Sequence, residues 1–269
     1  MADCETAATP GVDNLDAAAK LSFMARFFVL RKNIRDQRAT IDGPELAHLH
    51  RVLRLGPGDR VTIFDDTGWE HDAVIRQISL ESGQLDILRS YEAERESALA
   101  ITLALGLTKG EKMDWVIGKA TELGVQSIIP FVSTHAVPKL DAAKIAKRTE
   151  RWRNIALSAA KQSGRSRAPE ILSLCDYPEL INRSSNEALR VLFWEREEQR
   201  SLRHVHERNP DVKSVLLMVG PEGGFSVHEA ELARERGFEV VQLGRRILRA
   251  ETAGVAVTSL AQFLWGDLG

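Results

Sequence analysis

Two short loops near the C-terminus carry the side chains best suited to chemistry. The first spans residues 220–226 and contributes Glu222. The second runs through residues 243–253 and contributes Arg249 and Glu251. A fixed arginine can stabilise negative charge that develops in a reaction, and a carboxylate can accept a proton. Two loops so close in sequence can wall one small-molecule pocket, with Arg249 and Glu251 inside it.

Each loop follows an apolar strand and leads into a helix. Glycines at 220, 223 and 224 can adopt positive φ and let backbone amides approach a ligand. Ser226 and Glu229 have the spacing of a capping box, which predicts a helix to about Arg236. A strand from Glu239 to Leu243 then precedes the second loop. The last helix is expected from about Thr252 to Trp265.

The familiar nucleotide-binding loops do not match this chain. The 220–224 turn is not G-x-G-x-x-G, and it lies near the end of the chain instead of in a first βα turn. The 106–112 segment is one residue too short for a phosphate loop, and no Ser or Thr follows its lysine. Dehydrogenase, kinase and NTPase functions therefore lose support. Taken alone, a Gly-rich turn fits a purely structural role equally well.

Composition is that of an ordinary globular protein. The chain has 269 residues, of which 43% are hydrophobic and 28% charged, with a formal net charge of −2. No apolar stretch is long enough to span a membrane. Cys4 and Cys175 are the only cysteines, so no disulfide framework is expected, and a reducing, cytoplasmic compartment is favoured. The histidines lack partners at ligand spacing, so no metal is expected.

The pattern divides the chain into three parts. We expect residues 1–23 to be a disordered extension. Met24 is an alternative start of the protein, so both a genuine tail and an overextended start assignment stay open. Residues 24–97 contain short strands, typical of a small β-barrel. These strands are expected at Phe27–Leu30, Val61–Phe64, Ala73–Ile78 and Gln84–Leu88, with Gly83 in a turn. Residues 98–269 alternate strands and helices, which predicts an α/β domain whose parallel sheet is covered on both faces.

The two C-terminal loops resemble the signature of a known family. Gly-Pro-Glu-Gly-Gly-Phe-Ser followed by Leu-Gly-x-Arg-Ile-Leu-Arg-x-Glu-Thr-Ala is similar to the motif of RsmE-type 16S rRNA methyltransferases, in the SPOUT superfamily. The resemblance runs from about Met24 to the end. Other segments that match in order are Arg26–Val29, His48–Asp59, Lys109–Ile117, Lys119–Val125 and Gln162–Arg165.

This resemblance implies a fold and an activity. The fold is a C-terminal trefoil-knotted SPOUT methyltransferase domain over 98–269, with a PUA-like RNA-binding β-barrel over 24–97. The pattern alone would predict an unknotted doubly wound sheet, because knots are very rare. The implied methyl donor is S-adenosyl-L-methionine, and the acceptor is N3 of a uridine in 16S rRNA of the 30S subunit. A homodimer is also implied, with its pocket near the subunit interface.

Uracil N3 is a poor nucleophile while it carries its proton. Arg249 is the first candidate for stabilising charge on O2 and O4, Glu251 for general base, and Glu222 is the second choice of base. Glu251 fits a helix-cap role, or that of a buried partner of an arginine, almost as well. The expected donor-binding residues are Met218, Val219, Gly220, Pro221, Glu222, Gly223, Gly224, Leu243, Gly244, Ile247, Leu248 and Arg249.

Basic residues concentrate in two segments of this slightly acidic chain. Residues 26–54 hold seven Lys or Arg against three acids, and residues 139–167 hold nine against two. Two such clusters favour phosphate contacts over solvated helix faces. The expected RNA-binding residues are Arg26, Arg31, Lys32, Arg51, Arg54, Lys109, Lys112 and Arg165.

Two other functions stay open at this point. One is a related knotted methyltransferase that acts on a ribose 2′-hydroxyl or on tRNA. Ribose methylases of this superfamily typically carry Ser and Asn where Arg249 and Glu251 stand here. The other is a non-catalytic RNA-binding or ribosome-assembly factor that has kept the fold, and failure to bind the donor would favour it.

Overall fold

The computed structural model describes residues 25–134, 141–183 and 189–269. These residues form two compact units that divide between Glu92 and Ala93. The expected disordered extension, residues 1–23, lies outside the described residues, as does Lys139 of the second basic segment. Among the described helices, none is long and apolar enough to cross a membrane.

The division falls a few residues before the boundary expected at residue 97. The reason is that Glu96 and Ser97 bond to the second unit. Glu96 Oε2 accepts from Arg165 Nη2 at 2.7 Å, and the Ser97 hydroxyl donates to Gln262 Oε1 at 2.8 Å. The polar groups of this charged stretch are therefore fixed in the α/β unit.

The first unit is a six-stranded sheet around a small core. Its strands are β1 (Arg26–Phe28), β2 (Ile34–Arg35), β3 (Arg38–Asp42), β4 (Arg60–Phe64), β5 (Trp69–Ile78) and β6 (Ser82–Glu92). Their order is β1-β4-β5-β6-β3-β2, and the described pairings leave β1 and β2 at the two ends of this path. Among the described strand pairs of this unit, only β1 and β4 run parallel. Helix α1 (Gly43–Ala47) leads into a π-helical segment, His48–Val52.

The four strands expected in this unit are present, with one correction. Gly83, predicted in a turn, lies in β6 opposite Ile41 of β3. A Cβ on Gly83 would stand 2.8 Å from Ile41 Cγ2. The glycine therefore serves close packing between strands, whereas the sequence alone suggested a chain reversal.

The second unit is a parallel α/β sheet. Its strands are β7 (Ala100–Gly106), β8 (Ser127–Val132), β9 (Glu170–Ile171), β10 (Cys175–Asp176), β11 (Leu189–Phe193), β12 (Ser214–Val219) and β13 (Glu239–Val241). Its helices are α2 (Lys112–Glu122), α3 (Ala142–Ser163), α4 (Tyr177–Asn182), α5 (Leu202–Arg208), α6 (Val227–Glu235) and α7 (Ala250–Trp265). The strand order is β10-β8-β7-β12-β11-β13, and β9 also pairs with β8.

Alternating side chains of the central strands pack into two separate hydrophobic cores, one on each face of the sheet, as expected for a sheet covered on both faces. Leu217 of β12 packs on one face, with residues of α2, α3, α5 and α7. Met218 packs on the other face, with residues of α4 and α6. The prediction of an α/β unit with a parallel sheet is confirmed.

Helices α2 and α7 pack closely at Gly254. A Cβ at this position would lie 2.9 Å from Val116 Cγ1 of α2. The sequence suggested only that a glycine inside α7 costs helix stability. The structure shows what the missing side chain allows, which is a short distance between the two helices on that face of the sheet.

Substituting the glycines inside α2 and α7 should separate helix propensity from packing. Gly118→Ala in α2 meets only Ile155 Cγ2, at 3.8 Å, so it should raise the free energy of unfolding by up to about 1 kcal/mol. Gly254→Ala gains the same propensity but overpacks against Val116, and a net loss of about 1–2 kcal/mol is expected. Urea unfolding followed by far-ultraviolet circular dichroism measures both. Equal stabilisation by the two alanines would contradict close packing at Gly254.

Candidate functional site

Three strand ends meet at one edge of the second sheet. Phe193 of β11 pairs in register with Val219 of β12 and with Val241 of β13. Because all three strands are parallel, the segments that follow them emerge side by side. They enclose a cavity of about 560 Å³. The two C-terminal loops therefore wall one pocket, as expected, and a third loop after β11 joins them. Arg249 lines this cavity, but Glu251, also expected inside it, lines a neighbouring depression with Lys112, Asp114 and Trp115, because its side chain in the first turn of α7 faces α2.

Eleven of the twelve expected donor-binding residues line this cavity. They are Val219, Gly220, Pro221, Glu222, Gly223, Gly224, Leu243, Gly244, Ile247, Leu248 and Arg249. Met218 is the correction. Its side chain is fully buried in the core on one face of the sheet, because successive side chains of a strand point to opposite faces. Met218 is close to the glycine loop in sequence, but this closeness does not indicate which face of the sheet its side chain points to.

The first loop is held rigidly at its exit. The predicted capping box is present: Glu229 N–H donates to Ser226 Oγ at 3.1 Å, and Ser226 N–H donates to Glu229 Oε2 at 2.8 Å. Glu229 Oε1 also accepts from Thr134 N–H at 2.9 Å. Burial raises the pKa of the Glu229 carboxyl, but the hydrogen bonds from Thr134 and Ser226 outweigh it, and the pKa lies below its ordinary value.

Lys112 stands between the two candidate carboxylates. Its Nζ lies 3.1 Å from Glu222 Oε1 and 3.9 Å from Glu251 Oε2. Glu222 Oε1 also accepts from the Lys109 backbone N–H at 3.2 Å. Lys112 was expected to contact RNA. The structure places it in the cavity wall, where its charge acts directly on the groups proposed for proton transfer.

The two carboxylates differ in their surroundings. Burial raises the pKa of Glu222, but hydrogen bonds from Lys112 and from the Lys109 backbone outweigh it and hold the pKa below its ordinary value. Glu222 is thus stabilised as an anion, which weakens it as a base near neutral pH. Glu251 has a buried Oε2 with no hydrogen-bond partner among the described residues. It lies in the first turn of α7, because this helix begins at Ala250, two residues earlier than the expected start at Thr252.

Arg249 occupies the N-cap position of α7 and is exposed. Its carbonyl accepts the Ala253 N–H at 2.8 Å, which fixes the backbone. Within residues 25–134, 141–183 and 189–269, its guanidinium has no hydrogen bond or ion pair. It also lines the cavity. A cation anchored at its backbone and free at its tip is available to a ligand.

The expected RNA-binding residues differ in their exposure and in their partners within the protein. Lys32, Arg51, Arg54 and Lys109 are exposed. Arg31 and Arg26 are paired within the protein, Arg31 Nη1 with Asp65 Oδ2 at 2.9 Å and Arg26 Nη1 with Glu70 Oε1 at 2.7 Å. The Arg31 side chain is 64% exposed, but that of Arg26 is only 15% exposed. The surface is thus less basic than the sequence count indicates.

Arg165 requires a correction. Its side chain is 5% exposed and bonds to Glu96. Its Nη1 donates to the carbonyls of Thr121 and Val125, at 2.9 and 2.8 Å. This arginine ties the end of α2 and the start of the unit to the end of α3, so it is not an RNA contact. A guanidinium with several donors suits such a role as well as it suits phosphate.

Several cavity residues were missed from the sequence. They are Phe193, Trp194, Glu195, Phe225, Arg245, Arg246, Ala250 and Ala253. The signal for the first three was the apolar run Leu189–Phe193 followed by polar residues, which reads as a further buried strand with a loop at its carboxyl end. Among the described residues, no cluster of three His, Cys, Asp or Glu side chains could hold a metal ion.

Comparison with known proteins identifies the family. The RNA methyltransferase domain matches residues 95–262, and the RNA methyltransferase PUA domain matches residues 41–88. Ribosomal RNA small subunit methyltransferase E of Bacillus subtilis is 31% identical over 255 residues, which are 91% of this chain and 100% of that protein. The chain belongs to the family of ribosomal RNA small subunit methyltransferase E. The family resemblance and the PUA-like N-terminal unit are confirmed.

Two solved structures of similar methyltransferases share the fold of this chain. The Neisseria gonorrhoeae ribosomal RNA small subunit methyltransferase E, bound to S-adenosyl methionine, is 33% identical with a TM-score of 0.82. The match covers 91% of this chain and 100% of that one. A putative methyltransferase from Legionella pneumophila, in complex with the bound cofactor SAM, is 31% identical with a TM-score of 0.83. That match covers 91% of this chain and 99% of the other.

The capping carboxylate of the glycine loop gives a pH-dependent test. Because the folded-state pKa of Glu229 is depressed, its stabilisation is complete above the unfolded pKa of about 4.3 and is lost as the pH falls below that value. Glu229→Gln should lower the free energy of unfolding at neutral pH by about 1.5–3 kcal/mol. It should also flatten the acid side of the stability profile. Urea unfolding at a series of pH values measures both effects.

Glu231→Gln is the matched control for this experiment. Glu231 lies on the same helix and is exposed, so its replacement should leave the profile close to wild type. An acid loss that is the same in wild type and in Glu229→Gln would rule out the capping role.

Proposed function

We propose that this protein transfers a methyl group from S-adenosyl-L-methionine to N3 of a specific uridine in 16S rRNA of the small ribosomal subunit. The observation that carries the proposal is the cavity at the ends of β11, β12 and β13, with Arg249, whose guanidinium has no partner among the described residues, on its wall. Glu251 lies next to it on α7, 3.9 Å from Nζ of the cavity-lining Lys112. The names and bound ligands of the related proteins support it. A ribosomal substrate assigns the activity to the cytoplasm.

The cavity suits the proposed donor. Its volume of about 560 Å³ lies within the usual range for small-molecule sites. Leu243, Ile247 and Leu248 offer apolar surface for adenine, and the glycine loop offers accessible backbone amides. When bound, S-adenosylmethionine supplies a methyl group already activated by its sulfonium. The protein then has to align the acceptor and manage its proton and charge.

Arg249 is proposed to stabilise the negative charge that develops on O2 and O4 as N3 loses its proton. The guanidinium is exposed on the cavity wall and has no protein partner among the described residues. A preorganised cation of this kind contributes to the transition state without first breaking an ion pair. Its backbone position at the start of α7 fixes where the charge is delivered.

Glu251 is proposed as the proton acceptor. It lies two residues after Arg249 on α7, and its buried Oε2 has an unused lone pair among the described residues. Glu222 is the weaker candidate, because hydrogen bonds to Lys112 and Lys109 already hold it as an anion. Lys112 lies close to both carboxylates. Its positive charge would balance the negative charge of Glu251 until that carboxylate takes up the proton.

The knotted topology and the homodimer also belong to this proposal. The chain leaves β11, enters β12 between β7 and β11, and returns to β13 on the outer side of β11, an order that suits a deep crossing of loops. On α7, Leu260 and Phe263 are 39% and 62% exposed, and Trp115 on the adjoining α2 is 50% exposed. Burial of these apolar side chains favours association of two copies. A monomer by light scattering at working concentration would count against it.

Nucleoside analysis tests the reaction directly. The protein is incubated with S-adenosylmethionine and undermethylated 30S subunits, and the digested RNA is examined by mass spectrometry. A new 3-methyluridine is expected. A 2′-O-methyl nucleoside would instead identify a ribose methyltransferase. Absence of any product together with absence of donor binding would favour a non-catalytic RNA-binding factor.

Replacement of Arg249 tests its role apart from donor binding. Arg249→Ala should reduce single-turnover methyl transfer by on the order of 10²- to 10³-fold, while donor affinity changes much less. Arg249→Lys should recover part of the rate, since charge is retained and the planar fork is lost. Arg203→Ala on α5, an exposed arginine that is not among the lining residues, is the control. Unchanged turnover in Arg249→Ala would refute the assignment.

A further inference from the structure

The loop after β11 brings a carboxylate into the cavity. Glu195 follows the last residue of β11, Phe193, by two positions, and Phe193 pairs with Val219 just before the glycine loop. Gly224 has a φ of +66°, and a Cβ there would overlap Glu195 Oε1 and lie 3.0 Å from its Cδ. The carboxylate therefore lies in the space that the missing side chain leaves, directly against the glycine loop.

The neighbours of Glu195 hold its backbone in place. Trp194 Nε1 donates to the Phe225 carbonyl at 3.1 Å, and the Arg234 guanidinium lies 5.5 Å from the centre of the Trp194 ring. Arg234 also pairs with Glu197 at 2.6 Å. Residues on both sides of Glu195 are thus tied to the start and the body of α6, and the direction of its side chain is preset.

Glu195 itself is not used by the protein. Within residues 25–134, 141–183 and 189–269, its carboxylate makes no hydrogen bond or ion pair. Glu197 of the same loop behaves differently. It accepts from Arg234 and from the backbone N–H groups of Gln199 and Arg200. Glu197 is thus structural, whereas Glu195 presents acceptor atoms to the cavity.

We propose that Glu195 binds the ribose of the methyl donor by accepting hydrogen bonds from its 2′- and 3′-hydroxyls. An ionised carboxylate is only an acceptor, so its partner must be a donor. An acid at the end of a neighbouring parallel strand receives ribose hydroxyls in dinucleotide folds. The other two carboxylates near the cavity, Glu222 and Glu251, both lie next to Lys112. Glu195 is thus left to the non-reacting part of the donor.

This inference rests on the proposed function, and donor affinity tests both. Isothermal titration calorimetry on the full chain uses three ligands: S-adenosylmethionine, S-adenosylhomocysteine and 5′-deoxy-5′-methylthioadenosine, which lacks the amino-acid part. Glu195→Ala should weaken all three by a similar factor, about 10- to 100-fold, as expected for hydrogen bonds to a charged group. Glu195→Gln should lose less, because its amide oxygen still accepts.

A 2′-deoxy analogue of S-adenosylhomocysteine locates the contact. Wild type should bind it more weakly than the parent compound, whereas Glu195→Ala should bind the two alike, since the lost partner is the same. Glu198→Ala is the control. Glu198 is exposed in the same loop, and only its carbonyl is used, by Gln242 Nε2. It should bind every ligand as wild type does.

The outcomes separate the two proposals. Because the Glu195 carboxylate has no partner among the described residues, both of its variants should unfold at the wild-type temperature without ligand. Both should show a smaller rise in that temperature with S-adenosylmethionine. Weaker binding of S-adenosylmethionine and S-adenosylhomocysteine with unchanged methylthioadenosine would overturn the ribose assignment in favour of the ammonium group. Unchanged affinity for all three would overturn any ligand contact. A wild-type chain that binds none of them would remove the proposed function as well.

Discussion

Strand β12 is the element on which the site depends. It has parallel neighbours on both edges, β7 and β11, and every residue from Val215 to Val219 is buried. A strand in this position cannot shift register by one residue without exchanging the two cores, because its side chains alternate between faces. Its end therefore fixes where the glycine loop begins. The loops after β11 and β13 are placed relative to it by the shared register at Phe193.

Charged side chains of both signs lie at the cavity. Lys112 pairs with Glu222 on its wall, next to Glu251, and Glu195 lies against Gly224. The second C-terminal loop adds three exposed cations to the cavity wall, Arg245, Arg246 and Arg249. Such an arrangement presents acceptors to a cationic donor and cations to an anionic RNA. Its physical basis is that partners at close range in a partly desolvated site interact far more strongly than in bulk water.

Local counts of basic residues overestimated the RNA surface. Arg165 and Arg26 both belong to basic segments of the sequence, yet each is bonded to a carboxylate distant along the chain, Glu96 and Glu70. Lys112 is likewise used within the cavity. The sequence shows how many basic residues a segment contains. The fold decides which of these side chains are exposed to solvent and which are paired within the protein. The exposed Lys32, Arg51 and Arg54 remain as the basic surface of the first unit.

The sequence alone determined the two-part organisation, the strand–loop–helix units around residues 220 and 245, and the capping box at Ser226 and Glu229. These features depend on local geometry: glycine positions, side-chain periodicity and contacts three residues apart. The tertiary structure decided that Met218 faces a core, that Arg165 is buried, that Lys112 lies between Glu222 and Glu251, and that Glu195 shares the cavity. Each of these depends on which strand lies beside which. Strand pairing joins residues tens of positions apart, and no local pattern in the chain encodes that distance.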